Sequence, residues 1–256
     1  MNTHHSQTHP RFQKALLTKY GTNIIHQRNP YIIAWWSAAL PGFGHILLGK
    51  HLRGIILFMW EILVNTQSNI NIAIVHSFTG DWSKAGQILD KQWMLLYIPV
   101  YLFSIWDSYR SAISLNKIAV LSNLSSSGFT ISGMAINYYN KNIPLNAVLW
   151  SMLLPGLGQL YNFQIINSFF LLLWTLIIFY FSNFLESIYY LFIGNPLQMI
   201  QVINKEWFMF IPSVYGFAIY DAYINTVEQN KLYILDQKQW LRKTYQKHLI
   251  GITQQK

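Results

Sequence analysis

Long apolar stretches separated by short polar joints run through this chain at regular intervals. Three lie in the first half, at 31–48, about 54–78 and 93–113, and three in the second, at 145–162, 166–192 and 207–227. The run Phe169 to Phe181 (FFLLLWTLIIFYF) holds one Thr and no charge. A soluble core has no need of such a stretch, and it reads as a membrane span. Composition agrees: of 256 residues, 52% are hydrophobic, 16% aromatic and 11% charged, against roughly 25% charged in an ordinary soluble domain. The pattern predicts an all-α integral membrane protein.

The two halves are one design used twice. At an offset of 114, Pro30, Trp36, Ser37, Leu40, Pro41, Gly42 and Gly44 fall on Pro144, Trp150, Ser151, Leu154, Pro155, Gly156 and Gly158. The register continues without a gap through Ser68–Asn69 onto Ser182–Asn183, Asp107 onto Asp221, and Asn116–Lys117 onto Asn230–Lys231. In all, 25 of the 88 positions from 30 to 117 are identical. Chance likeness between apolar runs would pair Leu with Ile, not Trp, Pro, Asp and Gly with themselves. The predicted organisation is a basic polar tail (1–29), a first membrane repeat (30–121), a linker rich in Ser, Gly and Asn (122–143), a second repeat (144–235) and a basic tail (236–256). The first 30 residues lack the apolar core of a cleavable signal, so the tail is expected to stay on as a cytoplasmic extension.

The first segment of each repeat carries P-G-x-G at 41–44 and 155–158. Proline removes a helix hydrogen bond and glycine adds backbone freedom, so a straight helix through these positions is not expected. If this segment is re-entrant or interfacial, each repeat has two transmembrane helices, the chain has four spans, and the repeats are parallel. With the N-terminus inside, Lys and Arg then divide 15 inside to 3 outside, the outer three being Lys84, Lys91 and Lys205. If the segment spans, there are six spans, the repeats are inverted, and the division is 12 to 6. The positive-inside rule favours four spans with both termini cytoplasmic.

Candidate site residues follow from this layout. Pro41, Gly42 and Gly44, with Pro155, Gly156 and Gly158, make turns at membrane depth whose freed backbone groups need partners inside the protein. They are plain packing turns or the lining of a site, as broken helices are in transporters. Asp107 and Asp221 end the last apolar stretch of each repeat on the side of those turns, and are expected to accept hydrogen bonds from backbone N–H groups of their own turn or to stand in a pathway. Glu61, Asn65, Ser68, Asn69 and His76 recur at helical spacing, with Ser182, Asn183 and Glu186 on the corresponding second-copy face; this stripe is a helix–helix seam or a polar conduit. Glu61 has no acidic counterpart, Thr175 standing in its place. His45 and His51 become Gln159 and Ile165, which places them outside the shared design. His4, His5 and His9 sit in a polar tail without acidic company, so no metal site is expected.

The P-G-x-G turns, together with Ser104-Ile105-Trp106-Asp107 and Ala218-Ile219-Tyr220-Asp221 near the ends of the last helices, resemble the TM2 domain family and its P-G-x-G-Q relatives. The resemblance implies a membrane module and little about chemistry. Carbohydrate importer permeases begin with a similar segment, but their E-A-A coupling loop is missing here. No P-loop, nucleophile elbow, H-E-x-x-H helix or close carboxylate pair is present, so a non-enzyme without cofactor is expected. The absence of cysteine excludes disulfides and thiolate sites.

The net charge of +9 gathers at the ends and around the apolar segments, which suits anionic lipid headgroups at the cytoplasmic face and not nucleic acid. The expected function is a scaffold or accessory subunit among other membrane proteins. The alternative is a component of a small-solute or ion transporter, associated with a carbohydrate importer, that uses the polar faces of the two middle helices. Abundant Asn, Ile, Lys and Tyr suggest an AT-rich bacterial genome and hence the cell membrane.

Overall fold

The structure is a computed structural model, and it describes residues 14–122, 129–133, 136–138 and 140–245. His4, His5 and His9 lie outside the described residues. The chain is mostly helical. The first half runs through α1 (Pro30–Ala39), α2 (Phe43–Leu47), α3 (His51–Ser68), α4 (Ile70–Phe78), α5 (Trp82–Ile88) and α6 (Lys91–Leu121). The second runs through α7 (Pro144–Leu153), α8 (Leu157–Tyr161), α9 (Ile165–Ser182), α10 (Phe184–Phe192), α11 (Pro196–Val202), α12 (Lys205–Phe208) and α13 (Phe210–Tyr245). From α1 to α6, each helix begins 114 residues before its counterpart from α7 to α12.

Local chemistry explains the shared boundaries. Pro30 and Pro144 open α1 and α7, where a missing N–H costs nothing. Both helices end two positions before the P-G pair, with Leu40 and Leu154 between. The side chains of Asp81 and Asp90 cap α5 and α6, and those of Asn195 and Asn204 cap α11 and α12 at the same offset. Asp and Asn are interchangeable in that role because each offers an oxygen to the free N–H groups of the first turn.

The middle segment is not one helix. It breaks at Asn69 and Asn183, whose φ values of 57° and 53° lie in the left-handed region that Asn tolerates. The carbonyls freed at the break are tied down, that of Ser68 by the N–H of Asp90 and that of Ser182 by the N–H of Asn204. The last segment also departs from expectation. It is the 31-residue α6 in the first half, whereas in the second Met209 separates α12 from α13, with Pro212 in the first turn of α13 where proline is tolerated. The boundary expected at 235 falls inside α13.

Two short antiparallel hairpins qualify the all-α expectation. β1 (Ala15–Thr18) pairs with β2 (Gly21–Ile24), and β3 (Phe129–Ile131) with β4 (Ile136–Tyr138). In β1, Ala15 and Leu17 are buried while Leu16 is exposed, a period-two alternation four residues long within a segment that composition alone marks as a tail. The Asn137 side chain donates to the Thr18 carbonyl at 2.9 Å and joins the hairpins.

A single core draws on both halves and includes Ile33, Phe43, Ile46, Phe58, Phe170, Leu171, Ile178 and Phe217. Around it the usual distribution is reversed in part. Ser37, Ser68, Ser104, Ser151 and Ser182 are fully buried, while Trp35, Phe78, Tyr180 and Phe192 are largely exposed. Among the described residues one helix, α9, is long and apolar enough to cross a membrane, and about half of it is buried. The other long helices among them fall short of that test because charged and amide side chains, such as Arg53, Glu61 and Asn65 in α3, Asp107 and Arg110 in α6 and Asp221 and Asn225 in α13, interrupt their apolar stretches.

Candidate functional site

The site is built from the broken first segments. Gly42 and Gly156 have φ of 97° and 108°, which glycine adopts without the strain that a side chain would impose. They let the chain reverse against the following helix. A Cβ on Gly42 would strike the Gly54 carbonyl, and one on Gly156 would lie 2.9 Å from the Ser168 carbonyl. Gly44 and Gly158 bring α2 and α8 against α1 and α7, where a Cβ would overlap the carbonyls of Ile33 and Ala147. The turns are therefore closely packed, as expected of helices meeting on glycine. Pro41 and Pro155 hold the corners between paired helices.

Each turn presents one polar side chain to the acid of its own half. His45 Nε2 lies 3.0 Å from Asp107 Oδ2, and Gln159 Nε2 donates to Asp221 Oδ2 at 3.1 Å. Both pairs are 62 residues apart. This corrects two expectations. The aspartates bond side chains rather than backbone N–H groups of the turn; the Gly42 N–H goes instead to Ser104 Oγ at 3.2 Å. Positions 45 and 159 also belong to the shared design, since His and Gln each offer a nitrogen at the same place.

The surroundings of the two acids differ. Arg53 adds a 2.7 Å ion pair to Asp107, and Lys50 donates to Ser111 beside it. Asp221 is buried to 1% exposure and accepts from Asn225 Nδ2 at 2.7 Å, while Arg28 reaches the Asn225 carbonyl oxygen at 3.3 Å. A cavity of about 480 Å³ opens here between the halves, lined by Arg28, His51, Gln164, Asn167, Asp221 and Asn225 among others.

The polar stripe of the middle segment holds in the first half only in part. Glu61, Asn65 and Ser68 are buried on one face of α3. Asn69 is the break residue and donates weakly to the Ile88 carbonyl at 3.4 Å, and His76 lies beyond it on α4. In the second half Ser182 is fully buried, but Asn183 and Glu186 are exposed, because the break turns α10 away from the α9 face. Glu61 and Asn65 line a second cavity of about 360 Å³ with Asn71, Tyr97, Tyr101 and Ser213.

An aromatic layer lies between the two cavities. Along α13, Ser213 borders the second cavity and Asp221 the first, with Phe217 midway on the same face. Across the break of the first segment, Leu40 borders the second cavity and Ile46 the first, with Phe43 between. Phe43 and Phe217 stack at 4.0 Å, and Trp36 packs edge-on to Phe217. Sequence reading missed this arrangement, since Phe43 and Phe217 look like ordinary apolar residues. No protein-family model, curated protein or solved structure matches the chain.

Proposed function

We propose that this chain is a non-catalytic multi-pass protein of the cell membrane that carries a small polar solute or ion across an aromatic barrier. The reading rests on one observation: two polar cavities, formed between the halves, lie on opposite sides of the Phe43–Phe217 stack. Supporting the membrane setting, large aromatic side chains such as Trp35, Phe78, Tyr180 and Phe192 face outward while several serines and the acids Glu61, Asp107 and Asp221 are inside, a distribution suited to lipid contact. The four-span, parallel arrangement is part of the proposal. α1 and α7 have ten residues each, about 15 Å of helix, which is half of a bilayer core of roughly 30 Å. The likeness of the turns to TM2-type modules fits the same design.

In this arrangement the first cavity, at the level of Arg28 and the N-termini of α1 and α3, opens to the cytoplasm, and the second opens toward the outer side of the membrane. The absence of native cysteine makes a direct test possible. Single Asn225→Cys and Asn65→Cys variants in sealed vesicles are expected to react with a membrane-impermeant thiol reagent from the cytoplasmic side and from the outer side, respectively. Reaction of both from one side only, or of neither from any side, would refute the path.

A further inference from the structure

The hydrogen bonds around the second cavity leave two buried oxygens on its lining residues without a partner. The Asn65 amide nitrogen is spent twice, donating to Glu61 Oε1 at 3.0 Å and to Asn71 Oδ1 at 3.3 Å. Tyr97 Oη donates to the same Glu61 oxygen at 3.3 Å. Asn71 in turn donates its nitrogen to the Glu206 carbonyl at 3.0 Å. Two oxygens in this network have no partner, Glu61 Oε2 and Asn65 Oδ1, and both residues are more than nine-tenths buried. Both line the cavity, and no Lys, Arg or His does.

A buried polar atom without a partner is costly, and a buried carboxylate without a counter-charge more so. Two unpartnered acceptors on residues that line one cavity, with the neighbouring donor side chains already bonded to other oxygens, call for a ligand that brings positive charge or donors. From this we propose that Glu61 and Asn65 form a binding site for a monovalent cation, an alkali ion or ammonium, held by oxygen atoms. One carboxylate balances one positive charge, whereas a divalent ion would leave excess charge in an apolar setting. Oxygen donors suit hard cations. Among the described residues no group of three His, Asp or Glu side chains gathers anywhere, which leaves no ligand set for a transition metal. The site is asymmetric by construction: Thr175, buried in the matching position of α9, offers a hydroxyl and no charge.

The proposal deepens the path reading by naming the charge of what occupies its second cavity, and it can fail separately from it. The full chain, purified in mild detergent, is melted in sodium, potassium, ammonium or N-methylglucamine chloride at fixed ionic strength and pH. Saturable stabilisation by at least one of the small cations relative to N-methylglucamine is expected, growing logarithmically once the site fills. Glu61→Gln is expected to abolish the saturable part without lowering the midpoint in N-methylglucamine. Asn65→Ser, which keeps the carboxylate, is expected to weaken the apparent affinity by about fivefold or more. Equal melting in every salt overturns the proposal, as does a saturable effect that survives Glu61→Gln. Stabilisation that follows pH alone, alike in every salt, overturns it in favour of a proton. Two-sided thiol labelling without cation dependence would retain the path and reject the site, and the converse would retain the site and reject the path.

Discussion

His26 is the residue whose surroundings carry the plainest consequence for pH. It is 8% exposed, neither ring nitrogen has a hydrogen-bond partner of good geometry, and it borders a cavity of about 420 Å³ that also contains Lys14, Glu228 and Lys231. Burial first, and then the charges of Arg28, Lys231 and Lys14, hold the ring down to about 3, against a weak opposing pull from the Ile24 backbone. In the unfolded chain the ring takes a proton below about 6.5, and in the folded chain it does not until about 3. The unfolded state therefore binds more protons in that window. Stability is whole above about 6.5 and falls as pH drops toward 3, by up to about 1.4 kcal/mol per pH unit from this residue. Melting midpoints measured from pH 7 to 4 are expected to fall more steeply for the native chain than for a His26→Phe variant; parallel curves would remove His26 from the account. At the same scale, the partners of Asp107 and Asp221 show how comparison of residue identities can mislead. His45 and Gln159 differ in type and so look unshared, yet each delivers one nitrogen to the acid 62 positions on.

Among the elements, the P-G-x-G turns are where backbone geometry and packing coincide. Replacing Gly156 with Ala forces a side chain into the left-handed region and against Ser168 and Leu172, a combined cost of about 2–4 kcal/mol. Gly49, with φ of 74° but open space around its missing Cβ, bears only the conformational part, about 1 kcal/mol. Thermal melting in detergent is expected to show the larger drop for Gly156→Ala, and equal drops would mean that the close approach contributes nothing. The turns themselves were legible because Pro and Gly act locally. The starts of α1 and α7 and the caps at 81, 90, 195 and 204 are equally local, each set by one or two residues, although nothing in the apolar pattern singled them out. The break at Asn69 and Asn183 was signalled by an identical Ser-Asn pair but read as part of a polar stripe, since helical spacing cannot distinguish a continuous helix from one reset by a left-handed residue. Four-residue strands such as β1 are too short for alternation to stand out from a basic tail.

For the whole molecule, the proposed parallel arrangement makes a prediction that composition and fold share. Reporter domains fused after Lys50 and after Asn140 are both expected to read as cytoplasmic, since both positions lie at joints rich in positive charge. An external signal at either position would require the inverted, six-span layout. Interleaving of the halves is a feature of this scale alone. Phe58 of α3 packs against Phe170 and Trp174 of α9, and Phe43 of α2 against Phe217 of α13. As a result the cavities belong to neither repeat by itself.

The likeness of the two halves at a 114-residue interval, the apolar segments and the turn positions were determined by the sequence alone, because each depends on residue type within a few positions or on direct comparison of two stretches. What the tertiary structure decided was which polar groups meet. Glu61 finds Tyr97 36 residues away, Arg28 finds Asn225 197 residues away, and an aromatic pair from opposite halves separates two cavities. Contacts at such separations follow from how the halves dock, and no local period records that.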